Sequence, residues 1–274
     1  MTDPVTAPSR FGLLVIGDEI LSGKRQDKHL PKVIELLRAR GLALSWARYL
    51  GDDRAQIRAA IAEAHASGDI VFSCGGIGAT PDDHTRQAAA EAFDLPLQLH
   101  PQAAERIRLR MQELAAEQGL PCEPERPDNV QRLQMGCFPA GAALIENPYN
   151  RIPGFQVGRL YFVPGFPVMA HPMIEAVLDG PLAGLHGRDR QVERSVIVIG
   201  AMESALTPLM EALEAAHPAV RVFSLPSVDH PQWGRHIELG LKGPPDAVTR
   251  AWPGLIEGLQ HQACTMGPEM VRDS

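Results

Sequence analysis

Two short apolar runs, each cut off by a glycine turn, constrain this chain more than any other feature. "FGLLVIGDEIL" opens with six residues that never alternate with polar ones, and "DIVFSCGGIGATPDDHT" repeats the pattern some sixty residues on. Strands apolar on both faces belong to parallel sheets covered by helices on each side. Between the two runs, Leu30, Val33, Ile34 and Leu37 recur with helical period, with Pro31 tolerated in the first turn and Gly41 suited to the end. "LALSWARY" then alternates as a strand does. "DDRAQIRAAIAEAHASG" follows with an Asp cap, an apolar face of Ile57, Ala60, Ile61 and Ala64, and a closing glycine. This order of strand, helix, strand, helix, strand predicts right-handed crossovers and a mostly parallel sheet. Ligands in such sheets bind beyond the carboxyl ends of the strands, which sets Gly17-Asp18-Glu19 and Gly75-Gly76-Ile77-Gly78 along one edge.

A long amphipathic helix is expected over about 101–118, then an irregular, Pro-rich connector or lid, "LPCEPERPDN". "AALIENPYNRIPGF" and "LYFVPGFPVMAHPM" each run an apolar stretch into a Pro-Gly turn, the second leading into a helix that ends near Leu178. Past "GPLAGLHGRDRQ" the pattern restarts as strand (195–199), helix (203–216), strand (220–225), strand (236–241) and helix (about 246–262), a small α+β domain of βαββα order. The expected organisation is a disordered tail over 1–10, an α/β domain over 11–187, the small domain over 188–265 and a second tail over 266–274.

Composition narrows the partners. A formal charge of -7 argues against nucleic acid. No run of about 18 apolar residues and no apolar leader occurs, so no membrane partner and a cytoplasmic location are expected. The 4 cysteines show no C-x-x-C pairing, and the 10 histidines are scattered with no pair spaced for zinc on one helix face. "GDEILSGKR" is not a P-loop, Gly75-Gly76-Ile77-Gly78 is not a dinucleotide fingerprint, and no G-x-S-x-G elbow is present.

The glycine-rich turn still suits an anion. Glycines adopt positive φ, backbone N–H groups can converge on phosphate, and the helix that follows adds its positive end. Thr80 and Thr85 offer hydroxyl donors, while Asp82 and Asp83 suit a hydrated divalent cation bridging to phosphate oxygens. The alternative is that both aspartates merely cap the next helix. Asp18 and Glu19, at the open end of the first buried strand, are further candidates.

Taken in order, "IGDEILSG", "GDD" at 51–53, "DIVFSCGGIGATPDDHTR", "NPYNRIPGF" and "VPGFP" resemble the competence/damage-inducible protein A family, strongly over about 11–180 and more weakly to about 265. The resemblance implies a three-layer α/β molybdopterin-binding-type domain with a mostly parallel sheet, followed by a small α+β domain. It implies a pocket for a phosphorylated pterin or nucleotide, with molybdopterin as a candidate ligand. Gly17, Asp18 and Glu19 would line one wall. Gly75, Gly76, Ile77, Gly78, Thr80 and Thr85 would hold phosphate, and Asn147, Pro148, Pro153, Gly154, Pro164 and Gly165 would shape the other loops. Some relatives hydrolyse ADP-ribose or related dinucleotides with Mg, Mn or Co; by that likeness Asp82 and Asp83 would be catalytic and Asp18, Asp82 and Asp83 would hold the metal. Homo-oligomerisation is expected as well. The chain departs from the family pattern at Ala79, where proline is usual, at Asp27-Lys28-His29, where Asp-Thr-Asn is usual, and at Val168, where Glu is frequent. It stops at Ser274, so the deamidase domain of longer relatives is expected to be absent. Three functions compete: pterin or nucleotide binding, metal-dependent pyrophosphate hydrolysis, and a structural or regulatory oligomer with a degenerate site.

Overall fold

The computed structural model describes residues 10–187 and 190–273. The tail expected over 1–10 therefore lies outside the described residues apart from Arg10, as do 188 and 189 at the expected boundary. The chain forms two compact units, the first made of Met1–Leu37 with Ala43–Leu185, the second of Arg38–Leu42 with His186–Ser274.

In chain order the first unit contains β1 (Phe11–Ile16), α1 (Asp18–Leu21), α2 (His29–Arg38, its last residue in the second unit), β2 (Leu44–Leu50), α3 (Arg54–Ser67), β3 (Ile70–Cys74) and α4 (Thr85–Ala92). It continues with β4 (Leu97–Leu99), α5 (Pro101–Glu117), α6 (Pro127–Gln134), β5 (Cys137–Pro139), β6 (Ala143–Ile145), β7 (Gly154–Val157), β8 (Leu160–Val163) and α7 (Pro167–Asp179). Six strands form one sheet in the order β2-β1-β3-β8-β7-β6. The first four are parallel, and β7 and β6 add antiparallel pairs at one edge. All residues of β1 and β3 are buried, so both faces of the central sheet are covered, as their unbroken apolar runs require. Beside them Leu14, Val71 and Phe162 pack with Ile57 and Ile61 of α3, while Phe138, Phe155 and Phe162 stack with centroids 4.7 and 4.4 Å apart. Asp53 caps α3 by accepting from Gln56 N at 2.8 Å, and Gly68 ends it at φ 71. The expected irregular connector is partly helical, because Pro127 stands in the first turn of α6, where its missing N–H costs nothing.

The second unit contains β9 (Val192–Ile199), α8 (Glu203–Ala216), β10 (Arg221–His230), β11 (Gly234–Gly243), α9 (Pro245–His261) and β12 (Thr265–Asp273). They form an antiparallel sheet in the order β10-β11-β9-β12, with Val196, Val198, Leu239 and Leu241 packed on Leu206, Trp252 and Leu255 of the two helices. The segment expected as a second tail over 266–274 is instead an edge strand through Asp273. Its signal is masked by Gly267-Pro268: a register shift between Met266 and Glu269 takes the proline, which cannot donate, out of the ladder. Among the described residues no helix is long and apolar enough to cross a membrane.

Candidate functional site

The carboxyl ends of β1, β3 and β8 open onto a cavity of about 440 Å³ inside the first unit, the size of a small-molecule site. The turn after β1 contributes Gly17 and Glu19, and the turn after β3 contributes Gly75, Gly76, Ile77, Gly78, Thr80, Asp82 and Asp83. Asn147, Pro153, Pro164 and Gly165 complete the expected wall. Asp18, Thr85, Pro148 and Gly154 do not line it. Gly154 is a packing position, since a Cβ there would lie 2.3 Å from the Phe162 carbonyl oxygen.

The turn after β3 is built by what holds its carbonyls. Gly75 and Gly76 stand at φ 111 and 69, and a Cβ on them would meet the Ile16 carbonyl oxygen at 2.2 Å and Thr85 Oγ1 at 2.1 Å. The buried Thr85 hydroxyl donates to Gly75 O at 3.0 Å, Thr85 N donates to Gly76 O at 3.0 Å, and Arg86 Nη2 donates to Gly78 O at 2.7 Å. Three loop carbonyls are thus tied back to the first two residues of α4. The described peptide bonds are trans, so each following N–H points opposite to its tied carbonyl. The amides of Gly76, Ile77 and Ala79 have no hydrogen-bond partner among the described residues. Thr85, expected as a donor to a ligand, donates its hydroxyl to this loop.

The acidic pair is not a helix cap. α4 starts after His84 with no side-chain cap, while Asp83 Oδ2 accepts from Thr80 N at 2.8 Å and from the Thr80 hydroxyl. Gly78 leaves room for this carboxylate, which a Cβ would approach to 2.6 Å. Asp18 turns away from the cavity: its N–H donates to Asp52 Oδ2 at 2.8 Å, and its Oδ1 accepts from Asp52 N at 3.2 Å. Burial, with Asp18, Glu19 and Asp82 nearby, raises the Asp52 carboxyl above its ordinary range against the opposing effect of the Asp18 N–H. Among the described residues no three His, Cys, Asp or Glu side chains are grouped to hold a metal ion. The carboxylates of Asp18 and Asp83 serve separate partners, so this donor set does not fit a preformed metal centre.

Arg25, Asp52, Asn150, Phe166 and Met169 are among the residues outside the expected set that also face the cavity. Phe166 is 54% exposed, and the Arg25 guanidinium lies 5.6 Å from its ring centroid, a cationic and aromatic rim. Asn147 Nδ2 donates to Asn150 Oδ1 at 2.8 Å and Ile152 O at 2.9 Å, which folds the "NPYNRIP" loop against the site. His29 reaches Gly165 O through Nε2 at 2.9 Å; a carbonyl only accepts, so Nε2 carries the proton. Its Nδ1 and the Nε2 of the neighbouring His171 are buried without partners, and burial lowers the pKa of both rings. "GDD" offered a signal for Asp52; Arg25 and Phe166 offered none, because only the fold brings their segments together.

The family model described as "Probable molybdopterin binding domain" matches residues 12–183. A CinA-like protein of Anaeromyxobacter dehalogenans (strain 2CP-C) is 30% identical over 253 residues, 87% of this chain and 56% of that protein. A CinA-like protein of Syntrophotalea carbinolica is 28% identical, covering 75% of this chain and 50% of that protein. The chain thus spans about half the length of the curated relatives it matches. The crystal structure of the protein CinA, of unknown function, from Thermoplasma acidophilum matches with a TM-score of 0.53 at 25% identity, covering 62% of this chain and 98% of that one. A parallel α/β sheet and these likenesses agree: the chain belongs to the molybdopterin-binding domain family and is similar to CinA-like proteins.

Proposed function

We propose that the first unit binds a phosphorylated pterin or nucleotide in the cavity after β1, β3 and β8. One observation carries this reading: Gly76, Ile77 and Ala79 offer N–H groups with no protein partner on a turn whose carbonyls are tied the other way. Unpartnered amides on the glycine turn ahead of α4 form an anion nest, and a phosphate is the group that fills it. The family description, a probable molybdopterin binding domain, supports a pterin beyond that phosphate. The rim of Phe166 and Arg25 offers the planar ring an aromatic face and a cation.

Titration calorimetry with inorganic pyrophosphate, AMP and a phosphorylated pterin tests this. Saturable binding of the phosphorylated compounds, with affinity rising when a ring is added to the phosphate, is the expected result. No heat from any of the three, and no rise in melting temperature at millimolar ligand, would remove the reading. Release of AMP from ADP-ribose in the same samples would extend binding to hydrolysis.

A further inference from the structure

Arg86 is only 5% exposed, and its guanidinium is used up on carbonyls. Nη2 donates to Gly78 O at 2.7 Å, Nη1 donates to the carbonyl of Gln134 at the end of α6, and Nε has no partner. Among the described residues no carboxylate lies within ion-pairing distance of it. The Asp83 carboxylate, which adds an attractive contribution, is spent on Thr80. A buried, always-charged group with no counter-ion is costly, and an arrangement of this kind persists where something else balances the charge.

The partner is placed by the peptide plane. Arg86 grips Gly78 O from behind the turn, so the Ala79 N–H, on the opposite edge of the same trans peptide, faces away from it. A cation on the carbonyl polarises that peptide and strengthens its N–H as a donor. We infer that Arg86 is a positioning residue whose buried charge makes the glycine turn selective for a strongly anionic phosphoryl group, the ligand supplying the counter-charge that the protein withholds. The inference rests on the phosphate-binding reading above and adds a requirement to it: the charge of Arg86, and not only its hydrogen bonds, sets affinity.

Lysine and glutamine separate these two roles, since Arg86→Lys keeps the charge and Arg86→Gln keeps a neutral donor. Pyrophosphate affinity is measured by calorimetry for wild type and both variants, with unliganded melting temperatures recorded alongside. Arg86→Lys should bind within about threefold of wild type, and Arg86→Gln should be weaker by about tenfold or more. Glutamine matching lysine would overturn the inference, because a purely structural tie needs no charge. Asp83→Asn gives a second measurement that survives any misfolding of the Arg86 variants. Removing the Asp83 charge while keeping an acceptor for Thr80 should tighten pyrophosphate by about threefold; unchanged or weaker binding would count against the inference. Failure of the wild type to bind pyrophosphate is a distinct result, which defeats the binding reading itself and this inference with it.

Discussion

The turns after β1 and β3 look alike as sequence and differ in what they do with their amides. Both follow a buried parallel strand, both begin with glycine and both carry acidic residues. After β1 the amides are consumed: Gly17 N donates to Leu50 O at 3.0 Å, Asp18 N donates to Asp52 Oδ2, and Ile20 N donates to Gly17 O at 3.2 Å. After β3 the carbonyls of Gly75, Gly76 and Gly78 are consumed and the amides that follow them are left over. The first turn is therefore a latch between neighbouring loops, with Gly51 leaving room for the Asp18 carboxylate, and the second is a cradle. Glycine and acid content does not separate latch from cradle. The direction of each peptide plane does.

Gly76→Ala should blur this contrast most. A Cβ 2.1 Å from Thr85 Oγ1, on a residue at φ 69, forces the cradle off its helix. The expected cost is on the order of 3 kcal/mol in chemical denaturation, together with loss of pyrophosphate binding. Wild-type affinity in a folded Gly76→Ala protein would contradict the cradle geometry.

Thr85→Val should come next. It leaves Gly75 O without its hydroxyl donor in a fully buried position, at about 1.5 kcal/mol, and frees the Gly76 peptide to rotate. Reduced ligand affinity together with lower stability is the expected pattern; lower stability alone would mean that the hydroxyl braces the fold without aiming the amide.

The third prediction concerns the loop facing the cradle, where His29 holds Gly165 O and Gly165 lies against Gly75. Burial lowers the pKa of His29 and His171 in the folded chain, so between the folded value and the ordinary 6.5 the unfolded chain binds more protons. Their contribution to stability is complete above about pH 6.5 and is lost as pH falls below it. Urea unfolding at pH 7.5 and 5.5 should show this drop in wild type and a smaller one in His29→Gln, whose amide can still donate to Gly165 O. Equal drops in the two proteins would show that His29 is not the titrating group.

Asp18→Ala should matter least. It removes the Oδ1 acceptor from an exposed latch and should cost under about 1 kcal/mol, with pyrophosphate affinity unchanged. An affinity loss as large as that of Gly76→Ala would erase the distinction between the two turns.

Much of this architecture was legible in the linear chain. The apolar runs of β1 and β3, the period of α3 and its Asp53 and Gly68 ends are local signals, and the structure realises them within a residue or two. The cavity at the strand ends followed from the parallel order. β12 and α6 were not legible, because Pro268 and Pro127 break the pattern that a strand or helix ordinarily shows. Internal partners were not legible either: Thr85, Asp18 and Asp83 carry groups a ligand can use, and the structure pairs them with Gly75, Asp52 and Thr80. Hydrogen-bond capacity is a property of residue type, whereas its availability depends on what lies within 3 Å.

Hydrophobic periodicity and turn chemistry, both readable over a few residues, determined the parallel α/β unit, the second α+β unit and the sheet edge onto which the cavity opens. Only the tertiary structure decided which amides face that edge. Their direction is set by Thr85 and Arg86 gripping carbonyls 8 to 10 positions earlier in the chain, and by Gln134, 48 positions from Arg86, holding the same guanidinium. Such contacts are fixed by packing rather than by the pattern of neighbouring residues, so peptide orientation, and with it the set of unpartnered amides, exists only once the chain has folded.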